Sequence, residues 1–306
     1  MNTNQNLNLN TVKKGITFLI PALNEEESIE YTINLCKQFS KKNPEIPYEI
    51  LVSDNDSNDN TVSIAKKMDC TVITETKKGY GANIINGIKN SKYEYIIFGD
   101  ADGSYDFSDG RKFYDLLEND FDLVIGNRFS NNKDYKMEKK SMPFLHKYFG
   151  NPILSFIARF MFQINVTDFH CGLRAINKKS FMNGNIFLCK GMEFATEVVA
   201  IASKLRLKVA EVPIKLYVDK RKHTLPHLNT WRDGWRHLKF ILTMSHSKIF
   251  TNLAIFLLLI NLSFHLFYIL REFFHFEILT NLNLVTSLFL NALSHVGLNL
   301  LILNIF

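Results

Sequence analysis

Asp100 and Asp102 stand two residues apart at the end of the apolar run Tyr93–Phe98, in the string "YEYIIFGDADGSY". Carboxylates are hard oxygen ligands, and a site offering one or two of them suits Mg²⁺ or Mn²⁺ whose remaining positions go to water and a diphosphate. The same string, with Ala101 between the two acids, also suits a turn, because Asp and Gly favour turns for local backbone reasons. A second acidic cluster, "DNDSND" from Asp54 through Asp56 to Asp59, follows another strand-like run, Tyr48–Val52. Two acidic loops after two strands point to one shared edge.

The elements that must present these loops are legible as an alternation. Ile16–Ile20, Tyr48–Val52, Thr71–Thr74, Tyr93–Phe98 and Phe121–Ile125 read as strands. Glu25–Ser40, Asn60–Met68, Ala82–Asn90 and Asp109–Leu117 read as amphipathic helices. The rhythm predicts an α/β fold, a mostly parallel sheet covered on both faces, with ligands beyond the carboxyl ends of its strands. Gly79, Gly81 and Gly87 open a helix, but their spacing is not that of a dinucleotide fingerprint, and the first strand runs into Pro21-Ala-Leu-Asn-Glu25 rather than a glycine turn. Lys77 and Lys78 beside that helix start offer an anion contact.

A chain of 306 residues holds a core of about 200 residues plus an appendage. No formally charged side chain occurs from Ile249 to Leu270 or from Ile278 to Phe306. Each run exceeds the roughly 20 residues that cross hydrocarbon, which predicts a C-terminal transmembrane hairpin over 249–306. The segment 230–248, with Trp231, Trp235, Leu238 and Leu242 near one face, is expected to be an interfacial amphipathic helix. Residues 1–14 are expected to form a disordered polar tail without an export signal, and 15–229 the main folded domain. The net charge is +6, with Lys220, Arg221, Lys222, Arg232, Arg236, Lys239 and Lys248 crowding the approach to the first apolar run. Such clusters favour a cytoplasmic face and anionic lipid. No nucleic-acid-binding signature accompanies them, so nucleic acid is not an expected partner. Cys36, Cys70, Cys171 and Cys189 form no Cys-x-x-Cys, as in a reducing compartment.

In this order and spacing, "FLIPALNEEESI", "ILVSDNDSNDNT", "KKGYGANIINGI", "FGDADGSYDF" and "DLVIGNRF" resemble family-2 glycosyltransferases of the GT-A fold, in the dolichyl-phosphate mannose and glucose synthase group. The likeness runs over about residues 15–248. Later motifs, "TDFHCGLRAI" and "GMEFATEVVAIA" among them, are similar to the polyprenyl-phosphate, dolichol-phosphate-glucose synthetase-like branch.

The resemblance implies that Pro21, Leu23 and Glu25 line the base and ribose, with Asp54, Asp56, Lys78, Gly79 and Ala101 also on the nucleotide. It makes Asp100 and Asp102 the metal site, with Asp102 as the principal ligand, and turns Arg128 towards the phosphates. Ser104 stands where mannose synthases usually carry Gln. Arg221 and Lys222, in a basic loop that departs from the mannose-synthase pattern, are expected to hold the acceptor phosphate. Asp168 and Glu193 could orient sugar hydroxyls and Arg174 could bind phosphate; alternatively Asp168 and Arg174 pair and brace their loop. Glu197 shares a helix face with Glu193, and His170, His223 and His227 are weaker candidates.

The expected reaction is inverting transfer of a hexose from a nucleotide sugar to polyprenyl or dolichyl monophosphate. The glucose-type branch points to UDP-glucose or a related UDP-hexose, with GDP-mannose as the alternative. A polysaccharide-forming enzyme would carry Gln-x-x-Arg-Trp and more membrane helices, and neither is present in the sequence. The expected setting is the cytoplasmic membrane, multi-pass, with the catalytic domain on the cytoplasmic side and a separate flippase for the product. The oligomeric state, a homo-oligomer included, is open.

Overall fold

The computed structural model describes residues 13–182, 187–223, 230–244, 255–263, 265–266 and 292. The chain divides into two units, Met1–Ile241 and Leu242–Phe306. The first is a seven-stranded sheet in the order β3-β2-β1-β4-β6-β5-β7. Its strands are β1 (Lys13–Ala22), β2 (Tyr48–Asp54), β3 (Thr71–Thr74), β4 (Tyr93–Phe98), β5 (Leu123–Asn127), β6 (Arg174–Asn177) and β7 (Val209–Pro213). All neighbours pair in parallel except β6, which runs antiparallel to both β4 and β5. The α/β expectation of a mostly parallel sheet holds.

Strand β1 is central, and Ile16, Phe18, Leu19 and Ile20 are all fully buried, because a strand covered on both faces needs a continuous apolar run. Its cover includes α1 (Ile29–Lys42), which buries Ile29, Ile33, Cys36 and Phe39 at helical spacing. Phe18 meets Phe39 edge-on at 5.0 Å. Helices α2 (Thr61–Lys67), α3 (Tyr80–Asn90) and α4 (Arg111–Glu118) complete the βα alternation. The parallel register sets Ala22 beside Asp54 and Asp54 beside Thr74, so the ends of β1, β2 and β3 share one edge.

After β5 come α5 (Asn151–Phe162), entered through a π-helical turn at His146–Gly150, then α6 (Lys178–Met182), α7 (Phe194–Lys204) and α8 (Thr230–Met244). Helix α5 is apolar nearly all round. It buries Ser155, Ala158, Met161 and Phe162, while Leu145, Phe149, Ile153, Phe156 and Phe160 form an exposed stripe, each more than half accessible.

Helix α8 turns polar groups towards the protein. Asp233, His237 and Ile241 point inward and Trp235 is 65% exposed. The polar stripe turns in because its groups find partners: His237 Nδ1 lies 2.8 Å from Thr196 Oγ1, and Asp233 pairs with Arg232 and Arg236.

In the second unit, residues 255–263 are helical, with Ile255, Phe256, Leu259 and Leu262 exposed. Among the described residues no helix is long and apolar enough to cross a membrane. The hairpin expected over 249–306 lies largely outside the described residues, as does the tail up to residue 12; Lys13 and Lys14 of that expected tail already belong to β1.

Candidate active site

The loops after β1, β2 and β4 meet at the carboxyl edge, and backbone conformations that ordinary residues rarely adopt shape them. Asn24, Asp56 and Gly103 have φ of 55°, 66° and 75°. The first two loops are stitched together: Asn24 N donates to Ser57 Oγ at 2.9 Å, Asn58 N to Asn24 Oδ1 at 2.8 Å, and Glu25 N to Thr61 Oγ1 at 2.8 Å. Asp54, at the end of β2, uses Oδ2 to accept from the backbone N–H groups of Asp56 and Ser57 at 3.1 Å each. Its Oδ1 is buried without a hydrogen-bond partner among the described residues. A buried acceptor left open in this way costs free energy unless a ligand satisfies it.

Lys78 is turned onto this loop, donating to Asn55 O at 2.9 Å and Asp56 Oδ2 at 3.1 Å. Asn55 Oδ1 accepts from Gly79 N at 2.9 Å, and the Gly81 and Ala82 N–H groups donate to the carbonyls of Gly191 and Lys190. The start of α3, expected to offer an anion contact, thus has these N–H groups engaged by the protein itself. Gly79 is needed there: its φ is 137°, and a Cβ would lie 2.2 Å from Lys190 O.

Glu25, Asp102 and Asp219 surround one guanidinium, with Asp100 within its electrostatic reach. Arg221 places Nη1 3.2 Å from Glu25 Oε1, Nη2 3.4 Å from Asp102 Oδ2, and Nη2 2.5 Å from Asp219 Oδ2. Ser104 donates to Asp102 Oδ1 from its N–H at 2.9 Å and its hydroxyl at 2.6 Å, and Lys220 N donates to Asp102 O at 2.9 Å. Lys222 N and His223 N both donate to Glu27 Oε2, which straps this loop down at the same edge; Thr224–Asn229, with His227, lie outside the described residues. Burial lifts the Asp100 carboxyl to about 6, with Asp102 adding like-charge repulsion and Tyr80 opposing the rise by a hydrogen bond. Burial also raises Asp102, against the Ser104 hydrogen bonds, and carries Glu25 to about 7 against the pull of Arg221.

Crowded, desolvated carboxylates of this kind call for a cation. Among the described residues no three His, Cys, Asp or Glu side chains form a metal cage. Asp100 and Asp102, two hard carboxylates two residues apart, have the donor chemistry for Mg²⁺ or Mn²⁺ completed by diphosphate and water.

Arg128 and Asp168 form a buried fork, Nε to Oδ2 and Nη2 to Oδ1 at 2.7 Å each, with Arg128 N on Oδ2 at 3.1 Å. Asp168's ion-pair partner is therefore Arg128 rather than Arg174. Arg174, 1% exposed, donates to three carbonyls, Cys171 O at 2.8 Å, Phe169 O at 2.7 Å and Ala195 O at 2.5 Å. Those bonds make it a brace between two loops rather than an open phosphate contact. Glu197 is likewise engaged, accepting from Leu188 N and Cys189 N, whereas Glu193 keeps Oε2 buried and unpartnered among the described residues. Pro21 and Ala101 are buried and Leu23 is half-buried at the same edge; Ala101 O accepts from Thr32 Oγ1 at 2.8 Å. Lys222 is exposed. Reasoning from sequence passed over Tyr80, Tyr105, Asp219 and His237. Only Asp219 carried a signal, an acid two residues from Arg221 in an otherwise basic loop.

The family model for glycosyl transferase family 2 matches residues 17–184, which contain all three acidic loops. A low-salt glycan biosynthesis hexosyltransferase, Agl6 of Haloferax volcanii, is 30% identical over 77% of this chain, which spans only 55% of that relative's length. The UDP-N-acetylglucosamine–dolichyl-phosphate N-acetylglucosaminyltransferase of Methanococcus voltae is 32% identical over 66% of this chain and 85% of its own. Among solved structures, glucosyl-3-phosphoglycerate synthase from Mycobacterium tuberculosis with Mn²⁺, UDP-glucose and glycerol 3-phosphate superposes with a TM-score of 0.54 at 17% identity, over 76% of this chain and 80% of its own. That likeness shows the GT-A-type fold. The family match over more than half the chain, on the loops that build the acidic edge, makes the chain a member of glycosyltransferase family 2.

Proposed function

We propose that the protein transfers a hexose from a nucleotide sugar, UDP-glucose or a related UDP-hexose, to a polyprenyl or dolichyl monophosphate with inversion at the anomeric carbon and with divalent-metal dependence. The observation that carries this reading is the convergence of Glu25, Asp102 and Asp219 on Arg221 beside Asp100, with Asp54 Oδ1 left open on the neighbouring strand end. The first group suits a metal-bound diphosphate and the second a nucleoside hydroxyl or base N–H. The Methanococcus voltae relative is named for a UDP-sugar and dolichyl phosphate, and the fold neighbour was solved with Mn²⁺ and UDP-glucose; both support the choice of substrates. GDP-mannose is the second reading for the donor.

The acceptor phosphate is already mostly dianionic at neutral pH, its second pKa being about 6, so no strong base is required. One of its oxygens bonds to the anomeric carbon while the bond to the diphosphate breaks, and the electron pair leaves with the nucleoside diphosphate. A divalent cation held by Asp102 and Asp100 would neutralise that departing charge. Arg221, which a bound cation would free from the carboxylates, and Lys222 beside it would supply positive charge for the acceptor phosphate. Arg128, locked by Asp168, keeps a second fixed cation near Asp100.

The apolar stripe on α5 supports a membrane location. From Lys139 to Thr167 the chain has no acidic residue but carries Lys139, Lys140, Lys147 and Arg159, the charge that complements anionic lipid. A lipid acceptor would be met at that surface, on the cytoplasmic side. The test is transfer of radiolabel from UDP- and GDP-hexoses to polyprenyl phosphate in membranes, with Mg²⁺ or Mn²⁺, comparing wild type with Asp102→Ala. A metal-dependent, lipid-extractable, mild-acid-labile product lost in the variant is expected. Label entering only polymer or protein would overturn the assignment.

A further inference from the structure

A second polar cluster gathers around the first turn of α7. Both ring nitrogens of His170, and Oε2 of Glu193, are shut off from solvent without a hydrogen-bond partner among the described residues. His237 of α8 sets its ring edge-on to that of His170, centroids 4.6 Å apart, while its Nδ1 meets Thr196 Oγ1 in the first turn of α7.

The turn that carries His170 is tied to the start of α7 and to the acidic site. Arg174 ties the carbonyls flanking His170, those of Phe169 and Cys171, to the carbonyl of Ala195, two residues beyond Glu193. Gly172 N donates to Tyr105 Oη at 2.9 Å, and a Cβ on Gly172 would come within 2.7 Å of Asp100 Oδ2. The turn that carries His170 is therefore also a wall of the acidic site. A rigid, desolvated imidazole with neither nitrogen satisfied costs about 1–3 kcal/mol, and groups of this kind are kept where a ligand completes them.

The chemistry selects the ligand. Burial, the neighbouring His237 ring, Arg174 and Arg128 hold His170 in its neutral form, which offers one donor and one acceptor. Glu193 adds a carboxylate acceptor. Together they match hydroxyl groups, each of which both donates and accepts; a phosphate, rich in acceptors and negatively charged, would be opposed by Glu193. The geometry points to a hydroxyl-reading subsite in which His170 and Glu193, backed by His237, hydrogen-bond the hexose of the donor, and His170 sets which hexose is accepted. This rests on the nucleotide-sugar reading above and assigns its specificity to named side chains.

The experiment is calorimetric titration of the full-length protein in detergent with Mn²⁺, using the bare nucleoside diphosphate and then a panel of its hexose conjugates differing at single hydroxyls. His170→Phe keeps the ring volume without nitrogens, and His170→Gln restores a donor and an acceptor. The expected result is unchanged affinity for the nucleoside diphosphate, a loss of about tenfold for the preferred hexose conjugate in His170→Phe, flattened discrimination across the panel, and partial recovery in His170→Gln. Equal losses for the nucleotide and its conjugates, in both variants, would mean that His170 only supports the fold, and unchanged discrimination would mean that it does not touch the sugar. Either overturns the inference. Wild-type protein that binds neither UDP nor GDP would instead remove the nucleotide-sugar reading, and the subsite with it.

Discussion

Arg221 Nη2 lies 3.4 Å from Asp102 Oδ2, across 119 residues of sequence, so the acidic edge carries its own counter-cation on the loop after β7. Removing one partner of a buried ion pair leaves uncompensated charge, typically at a cost of about 3–5 kcal/mol. Arg221→Ala is expected to lower the stability of the ligand-free protein by about that much, because Glu25, Asp102 and Asp219 lose the same partner. Mn²⁺ should then raise the melting temperature of Arg221→Ala more than that of wild type, which thermal denaturation with and without the ion will show. Equal Mn²⁺ shifts in the two proteins would count against competition between ion and guanidinium.

Glu25 supplies a pH signature. Its carboxyl is held up to about 7 against an ordinary value of 4.5, chiefly by burial. The folded chain therefore keeps a proton between these values that the unfolded chain has released. Its contribution to stability is full below about pH 4.5 and is lost as pH rises through about 7, a swing of roughly 3 kcal/mol at most. Replacing Glu25 by Gln removes that swing. The gap in unfolding free energy between wild type and Glu25→Gln should shift in favour of wild type on going from pH 7.5 to pH 5, measured by urea denaturation at each pH. A gap that is constant with pH would show that Glu25 titrates normally.

The first half of this architecture was legible because its signals are local. Apolar runs such as Ile16–Ile20 and Tyr93–Phe98 bounded the strands within a few residues, and acids following such runs located the edge. What stayed hidden depends on contacts distant in sequence. β6 is four residues long and begins with Arg174, too short to show a period, and its antiparallel insertion between β4 and β5 has no local mark. The Arg128–Asp168 fork joins residues 40 apart, so sequence adjacency favoured the nearer Arg174. The inner face of α8 was hidden for a related reason: His237 finds its buried partner, Thr196, on another helix.

That fork separates structural from chemical roles. Arg128 and Asp168 are 8% and 0% exposed at their side chains, so Asp168→Asn strands a buried guanidinium and should cost about 3–5 kcal/mol. Arg128→Met combined with Asp168→Leu removes both charges, and it should cost less than the sum of the single changes, a coupling readable from a double-mutant cycle. If the double variant regains the fold but not transfer, Arg128 supplies charge to the reaction; if transfer also returns, the fork is only a brace.

The stripe on α5 makes the last prediction. Phe156 and Phe160 are 62% and 57% exposed, while on the buried side of the helix Ser155 Oγ accepts from Phe169 N, next to Asp168. The helix therefore has one face on the active-site loop and an apolar face that is exposed among the described residues. Phe156→Ser with Phe160→Ser removes little native packing and should change unfolding free energy by less than about 1 kcal/mol. The same pair of changes takes apolar area out of a bilayer contact, and each side chain fully buried in lipid is worth roughly 1.5–3 kcal/mol. In membranes the variant should keep its KM for the nucleotide sugar but need at least tenfold more long-chain polyprenyl phosphate to reach half-maximal transfer, with a smaller penalty for a short, water-soluble acceptor. Equal penalties for both acceptors would place the stripe away from the lipid.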